Sequence, residues 1–65
     1  MTLTINGQTA DPAARTLAEL VEELGLGDAK VATALNGAFV PVRARGAAAL
    51  AEGDRIEIVS PRQGG

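Results

Sequence analysis

The sequence predicts an α+β domain: a mixed five-stranded sheet with one main helix packed on one face. Three observations predict it. Two Asn-Gly dipeptides, Asn6-Gly7 and Asn36-Gly37, each sit between short segments of strand-like residues, the signature of tight hairpins. Only one stretch, around Leu17 to Leu24, carries the apolar spacing of an amphipathic helix. A last alternating segment, Arg55 to Val59, is cut off by Pro61. A single helix with one apolar stripe has one thing to bury it against, one face of the sheet.

The elements follow in order. Met1, Leu3 and Ile5 alternate with Thr2 and Thr4, the period-two pattern of a half-buried strand. Asn6-Gly7 favours a two-residue turn with positive φ, so Gln8 to Ala10 returns antiparallel. Asp11-Pro12 ends that hairpin, because Pro12 has no N–H for a ladder and restricts the residue before it. Thr16 with Glu19 three residues on reads as a capping box. Leu17, Leu20, Val21 and Leu24 then form one stripe, and Gly25 supplies the left-handed residue that closes a helix over 16–24. Glu19, Glu22 and Glu23 fall on the wet side and read as a solvated face.

A second hairpin is expected from Val31 to Leu35 and Ala38 to Val42 across Asn36-Gly37. Pro41 places its second strand at a sheet edge or marks the strand's end, since an inner strand would lose a ladder bond there. Residues 43–51 have no clear period, although "GAAALAE" suits a short helical turn. Glu52-Gly53-Asp54 signals a turn into the final strand. The first and last strands are the most continuous and are expected in the middle. This order of strands around one helix is a β-grasp, or ubiquitin-like, arrangement, with the domain over 1–60 and a flexible Gly-Gly tail over 61–65.

Composition narrows the function. The chain has 65 residues, 46% hydrophobic, with no Cys, no His and Phe39 as its one aromatic. A domain of this size buries only about 60% of the surface its unfolded chain exposes, so the core must be thin. The lone aromatic of a thin core is expected inside it; the competing position for Phe39 is the face opposite the helix. Without Cys or His there are no disulfides, thiolate nucleophiles, imidazole bases or usual zinc ligands. Six basic against eight acidic residues give a net charge of -2, which argues against nucleic acid. No apolar run approaches the roughly 20 residues that span a bilayer, and the N-terminus has no signal-peptide pattern. A cytoplasmic protein without a metal site is expected, and an enzyme active site would be left with carboxylates, Arg, Lys30 and hydroxyls.

"ALNGAFVP" (34–41) followed by "EGDRIEIVSPRQGG" (52–65) closely resembles the ThiS family, the sulfur carrier proteins of bacterial thiamin biosynthesis. The spacing of the two blocks and the chain length fit as well. One departure is plain: the family often has Arg directly after the Pro and an aromatic soon after, whereas this chain reads "PVRARGAAAL". Arg43 or Arg45 would have to stand in for the Arg, and no residue replaces the aromatic.

The resemblance gives the tail a use. The α-carboxylate of Gly65 has an ordinary pKa of about 3.3 to 3.7 and is ionised at neutral pH. Made into an acyl-adenylate, it acquires a leaving group that a sulfur nucleophile can displace, leaving a thiocarboxylate. With no Cys in the chain, covalently carried sulfur would sit at Gly65. Lacking Cβ, Gly64 and Gly65 would let the backbone thread a narrow channel, with Gln63 and Arg62 along its wall. Residues 61–65 can span at most about 16–18 Å. The resemblance implies three partners: a ubiquitin-activating-like adenylyltransferase of the ThiF type, which uses ATP; a cysteine desulfurase as indirect sulfur source; and thiazole synthase of the ThiG type as acceptor. Val59, on the face opposite the helix, is the expected partner contact. The alternatives are the small subunit of molybdopterin synthase or another ubiquitin-like sulfur carrier, and a ubiquitin-like protein modifier. All begin from the same adenylate.

Overall fold

The structure, a computed structural model, describes residues 1–60. Its elements are β1 (Leu3–Ile5), β2 (Gln8–Ala10), α1 (Leu17–Glu23), β3 (Ala32–Leu35), β4 (Ala38–Val40), a 3-10 helix (Val42–Ala47) and β5 (Arg55–Val59). The sheet order is β2-β1-β5-β3-β4. β1 and β5 run parallel and the other neighbours antiparallel, so the sheet is mixed as expected. β5 occupies the middle, and β4 lies at an edge and ends one residue before Pro41.

Both hairpins turn through left-handed backbone. Asn6 and Gly7 have φ of 50° and 83°, Asn36 and Gly37 of 52° and 87°. Positive φ at both central residues is the turn whose twist matches that of the flanking strands.

The helix is held at both ends by chemistry visible in the sequence. Thr16 is the N-cap, its Oγ1 accepting from Glu19 N at 3.2 Å. The Glu19 carboxylate reaches back to Arg15 N at 2.8 Å, one residue before the partner a reciprocal capping box uses. At the other end Gly25 N donates to Glu22 O and Leu26 N to Val21 O, both at 2.9 Å, with Gly25 at φ 79°. That pair of bonds satisfies carbonyls the helix leaves open. Glu23 is exposed but is more than a solvated residue, because its carboxylate accepts from Ala13 N and Ala14 N and secures the loop before the helix.

Leu17 and Leu20 of α1 pack with Leu3, Ala14, Leu50, Ile56 and Ile58 in one core against a single face of the sheet. Burying each such Leu or Ile contributes about 1.5–3 kcal/mol. Boundaries differ from the sequence reading in α1, which spans Leu17–Glu23 with Thr16 and Leu24 as its caps, and at three later places. β3 begins at Ala32, and β4 stops at Val40, because Pro41 (φ -68°, ψ 160°) opens the 3-10 helix. The helical turn therefore lies over 42–47, earlier than "GAAALAE" suggested. Ala48 to Leu50 is extended instead, bonded to Arg15 and Leu17 through Leu50 N to Arg15 O and Leu17 N to Ala48 O.

Among the described residues no helix is long and apolar enough to cross a membrane.

Candidate functional site

The site is the end of the sheet from which the chain continues beyond β5, together with the sheet face turned away from α1. Strand alternation builds that face. On β5, Ile56 and Ile58 point into the core at 1% and 8% exposure, while Val59 points out at 58%. Register carries the outward row across the sheet, since Val59 pairs with Ala32, and Glu57 with Ala34, which in turn pairs with Phe39. Residues directly opposite in a ladder share a face, so Phe39 joins Val59 on the outside.

Phe39 is 69% exposed, and its expected place in the core is corrected. In β4 the inward position belongs to Val40, which packs on the core opposite Thr33. Phe39, one residue away, must face outward because strand side chains alternate. Val59 occupies the outer face as expected. Val42, at the start of the 3-10 helix, is exposed too. A large exposed aromatic and two exposed valines on so small a domain are the kind of surface that partners cover.

The end of β5 is held from two sides. Toward β3, Val59 pairs with Ala32. Toward β1, the side-chain amide of Asn6 bonds Ile58 twice: Nδ2 donates to Ile58 O at 3.0 Å, and Oδ1 accepts from Ile58 N at 2.8 Å. Beneath β3, Arg45 is buried at 8% exposure. Its Nη2 donates to Val31 O at 2.7 Å and its Nε to Thr33 Oγ1 at 3.0 Å, while Thr33 Oγ1 donates to Val40 O at 2.8 Å. Among the described residues no carboxylate pairs with it; the one ion pair there joins the Met1 amine to Asp11 at 2.9 Å. The hydrogen bond this amine donates to the Asp11 carboxylate raises its pKa above the ordinary value near 8.0.

Arg45 is thus spent on tying the 3-10 helix to β3. Of the two arginines that could replace the family's Arg after Pro41, only Arg43 is at the surface. Neither the Asn6 clamp nor the Arg45 clamp was read from the sequence. An Arg isolated in "RARGAAA" is the one local hint, because alanines offer it nothing polar to pair with.

Arg62, Gln63, Gly64 and Gly65, the expected threading segment and point of modification, lie outside the described residues, as does the expected 61–65 tail. Across the outer face, a hollow of about 160 Å³ is lined by Thr4, Gly7, Gly37, Arg55, Ile56 and Glu57. That is smaller than the roughly 300–1,000 Å³ of pockets that enclose a small-molecule ligand. Among the described residues no group of three His, Cys, Asp or Glu side chains is arranged to hold a metal.

The arrangement is similar to that of a crystal structure of the thiamine biosynthesis protein ThiS from Geobacter metallireducens. The two share 30% sequence identity and a TM-score of 0.83, and the match covers 100% of each chain. Among curated proteins there is no significant match. The ThiS family model matches residues 3–65, nearly the whole length, and the chain belongs to the ThiS family.

Proposed function

We propose that this protein is a sulfur carrier of thiamin biosynthesis whose working group is the α-carboxylate of Gly65. The observation that carries the reading is the family match over residues 3–65, which takes in the Gly64-Gly65 end as well as the folded domain. The geometry supports it. The tail follows directly on the central strand of the sheet, and Phe39 and Val59 are exposed on the adjoining face.

In this reading the Gly65 carboxylate attacks the α-phosphate of ATP held by a ThiF-type adenylyltransferase, and pyrophosphate leaves. Persulfide sulfur supplied through a cysteine desulfurase then attacks the acyl carbon and expels AMP, and a thiol reductant cleaves the resulting acyl disulfide to the thiocarboxylate. Thiazole synthase of the ThiG type takes the sulfur, and the carboxylate returns for another round. The carrier contributes no acid, base or nucleophile other than its own terminus, and ATP is bound by the activating partner. Its tasks are to dock and to hold Gly65 within reach of two different pockets, about 16–18 Å from residue 60 at full extension.

Intact-mass and peptide analysis of the chain isolated with its native partners tests this. The expected product under thiamin starvation is a C-terminal peptide in which one oxygen is replaced by sulfur. A branched peptide joining Gly65 to a lysine of another protein would assign the chain as a modifier instead. Recovery of the unmodified acid alone would overturn the carrier reading.

A further inference from the structure

We propose that Asn6 is a positioning residue for the C-terminal tail, its side-chain amide acting as the last rung of the β1–β5 ladder and so setting where the chain leaves the sheet. The inference rests on the carrier reading for its functional consequence and on geometry for the anchoring itself.

The parallel ladder advances two residues at a time: Thr4 N donates to Asp54 O at 3.0 Å, and Asn6 N to Ile56 O at 2.9 Å. The next rung would need the carbonyl of residue 6 for Ile58 N and the N–H of residue 8 for Ile58 O. Neither can serve, because the left-handed turn at Asn6-Gly7 has carried the backbone away into β2, where Gln8 pairs with Ile5. The Asn6 amide supplies both missing groups, its Oδ1 in place of the carbonyl and its Nδ2 in place of the N–H. A primary amide has the same donor and acceptor pair as a peptide unit, so one side chain can substitute for a stretch of strand.

Ile58 is the last residue whose N–H and C=O face β1, and Val59 beyond it is held by β3. Without the Asn6 rung these two groups of Ile58 lose their protein partners, and the β1 side of β5 ends two residues earlier. At about 3.3 Å per residue, the last roughly 6–7 Å of strand before the tail is then held on its β3 side alone. A carboxylate that must meet a phosphate in line tolerates little loosening of the strand that delivers it.

The chain contains its own control. Asn36, in the second Asn-Gly turn, places its amide at the opposite end of β5: Oδ1 accepts from Arg55 N at 2.9 Å, while Nδ2 donates to the Asp54 side chain at 3.0 Å. Asn6→Gly and Asn36→Gly each retain the positive φ and remove only the amide. In the full-length chain, Asn6→Gly should speed amide hydrogen exchange at Ile58 by roughly tenfold relative to Asn36→Gly. With a ThiF-type partner at saturation, it should slow adenylation of Gly65 by a similar factor, whereas Asn36→Gly, at a comparable loss of Tm, should be adenylated normally. Asn6→Asp preserves the acceptor for Ile58 N but loses the donor, and should fall between.

Equal Ile58 exchange in the two glycine variants would overturn the anchoring. Equal adenylation rates would overturn the positioning role. Failure of the wild-type chain to be adenylated would instead break the carrier reading, leaving the Ile58 exchange contrast to decide the anchoring on its own.

Discussion

The two faces of the sheet draw on the same strands and treat apolar residues in opposite ways. Facing α1, Leu3, Ile56 and Ile58 are buried and make the core. On the other side, Phe39 and Val59 are as apolar and stand in solvent. Neighbours on one strand, Ile58 and Val59, differ from 8% to 58% exposure. The difference teaches that hydrophobicity alone does not assign a residue to the core in so small a domain. One helix can cover one face, and apolar side chains on the other are left for something outside the chain.

Substitutions can break that contrast, beginning with the inner face. Ile56→Ala should destabilise the domain by about 2–5 kcal/mol, because it empties a site at the centre of the core that α1 cannot collapse to fill. Urea unfolding would measure it. A loss below 1 kcal/mol would mean that Ile56 does not carry the inner face.

Arg45→Ala tests the polar edge of that same face. It leaves Val31 O without its partner and removes the tie to Thr33, which should cost about 1–3 kcal/mol. An unchanged denaturation midpoint would show the clamp to be dispensable. Val59→Asp is the outer-face counterpart: stability should stay within about 0.5 kcal/mol, as for surface changes elsewhere. Thiocarboxylate loading with the activating partner should fall on the order of tenfold, the equivalent of about 1.4 kcal/mol of contact. Normal loading of that variant would remove Val59 from the docking surface.

Much of the fold was legible because its signals are local. Asn-Gly demands positive φ at two adjacent residues, Thr16 with Glu19 satisfies a helix start, and Gly25 finishes the helix within a few residues of its cause. Phe39 was not legible in the same way. In the three-residue strand Ala38–Val40, alternation says that Phe39 and Val40 face opposite ways without saying which is inside; the pairing of Thr33 with Val40 across β3 decides it. The 3-10 helix over 42–47 was hidden for a related reason. It is held by Arg45 reaching Val31 and Thr33, contacts 14 and 12 residues away in sequence. Asn6 was read correctly as a turn residue, but its second use depends on Ile58, 52 residues away. The family resemblance was legible in the "ALNGAFVP" and "EGDRIEIVSPRQGG" blocks, and residues 3–65 match the family as a whole.

Among the described residues, the strand at the centre of the sheet is also the last one to be made. While the chain is being synthesised, β1–β2 and β3–β4 can each close as hairpins, but nothing joins them until residues 55–59 arrive. Two-stranded hairpins are marginal by themselves in water, so a nascent chain halted before Arg55 has no stable sheet to keep. Folding of the sheet therefore waits on residues 55–59. A chain cut short before Arg55 is left open to the proteases that clear unfolded protein.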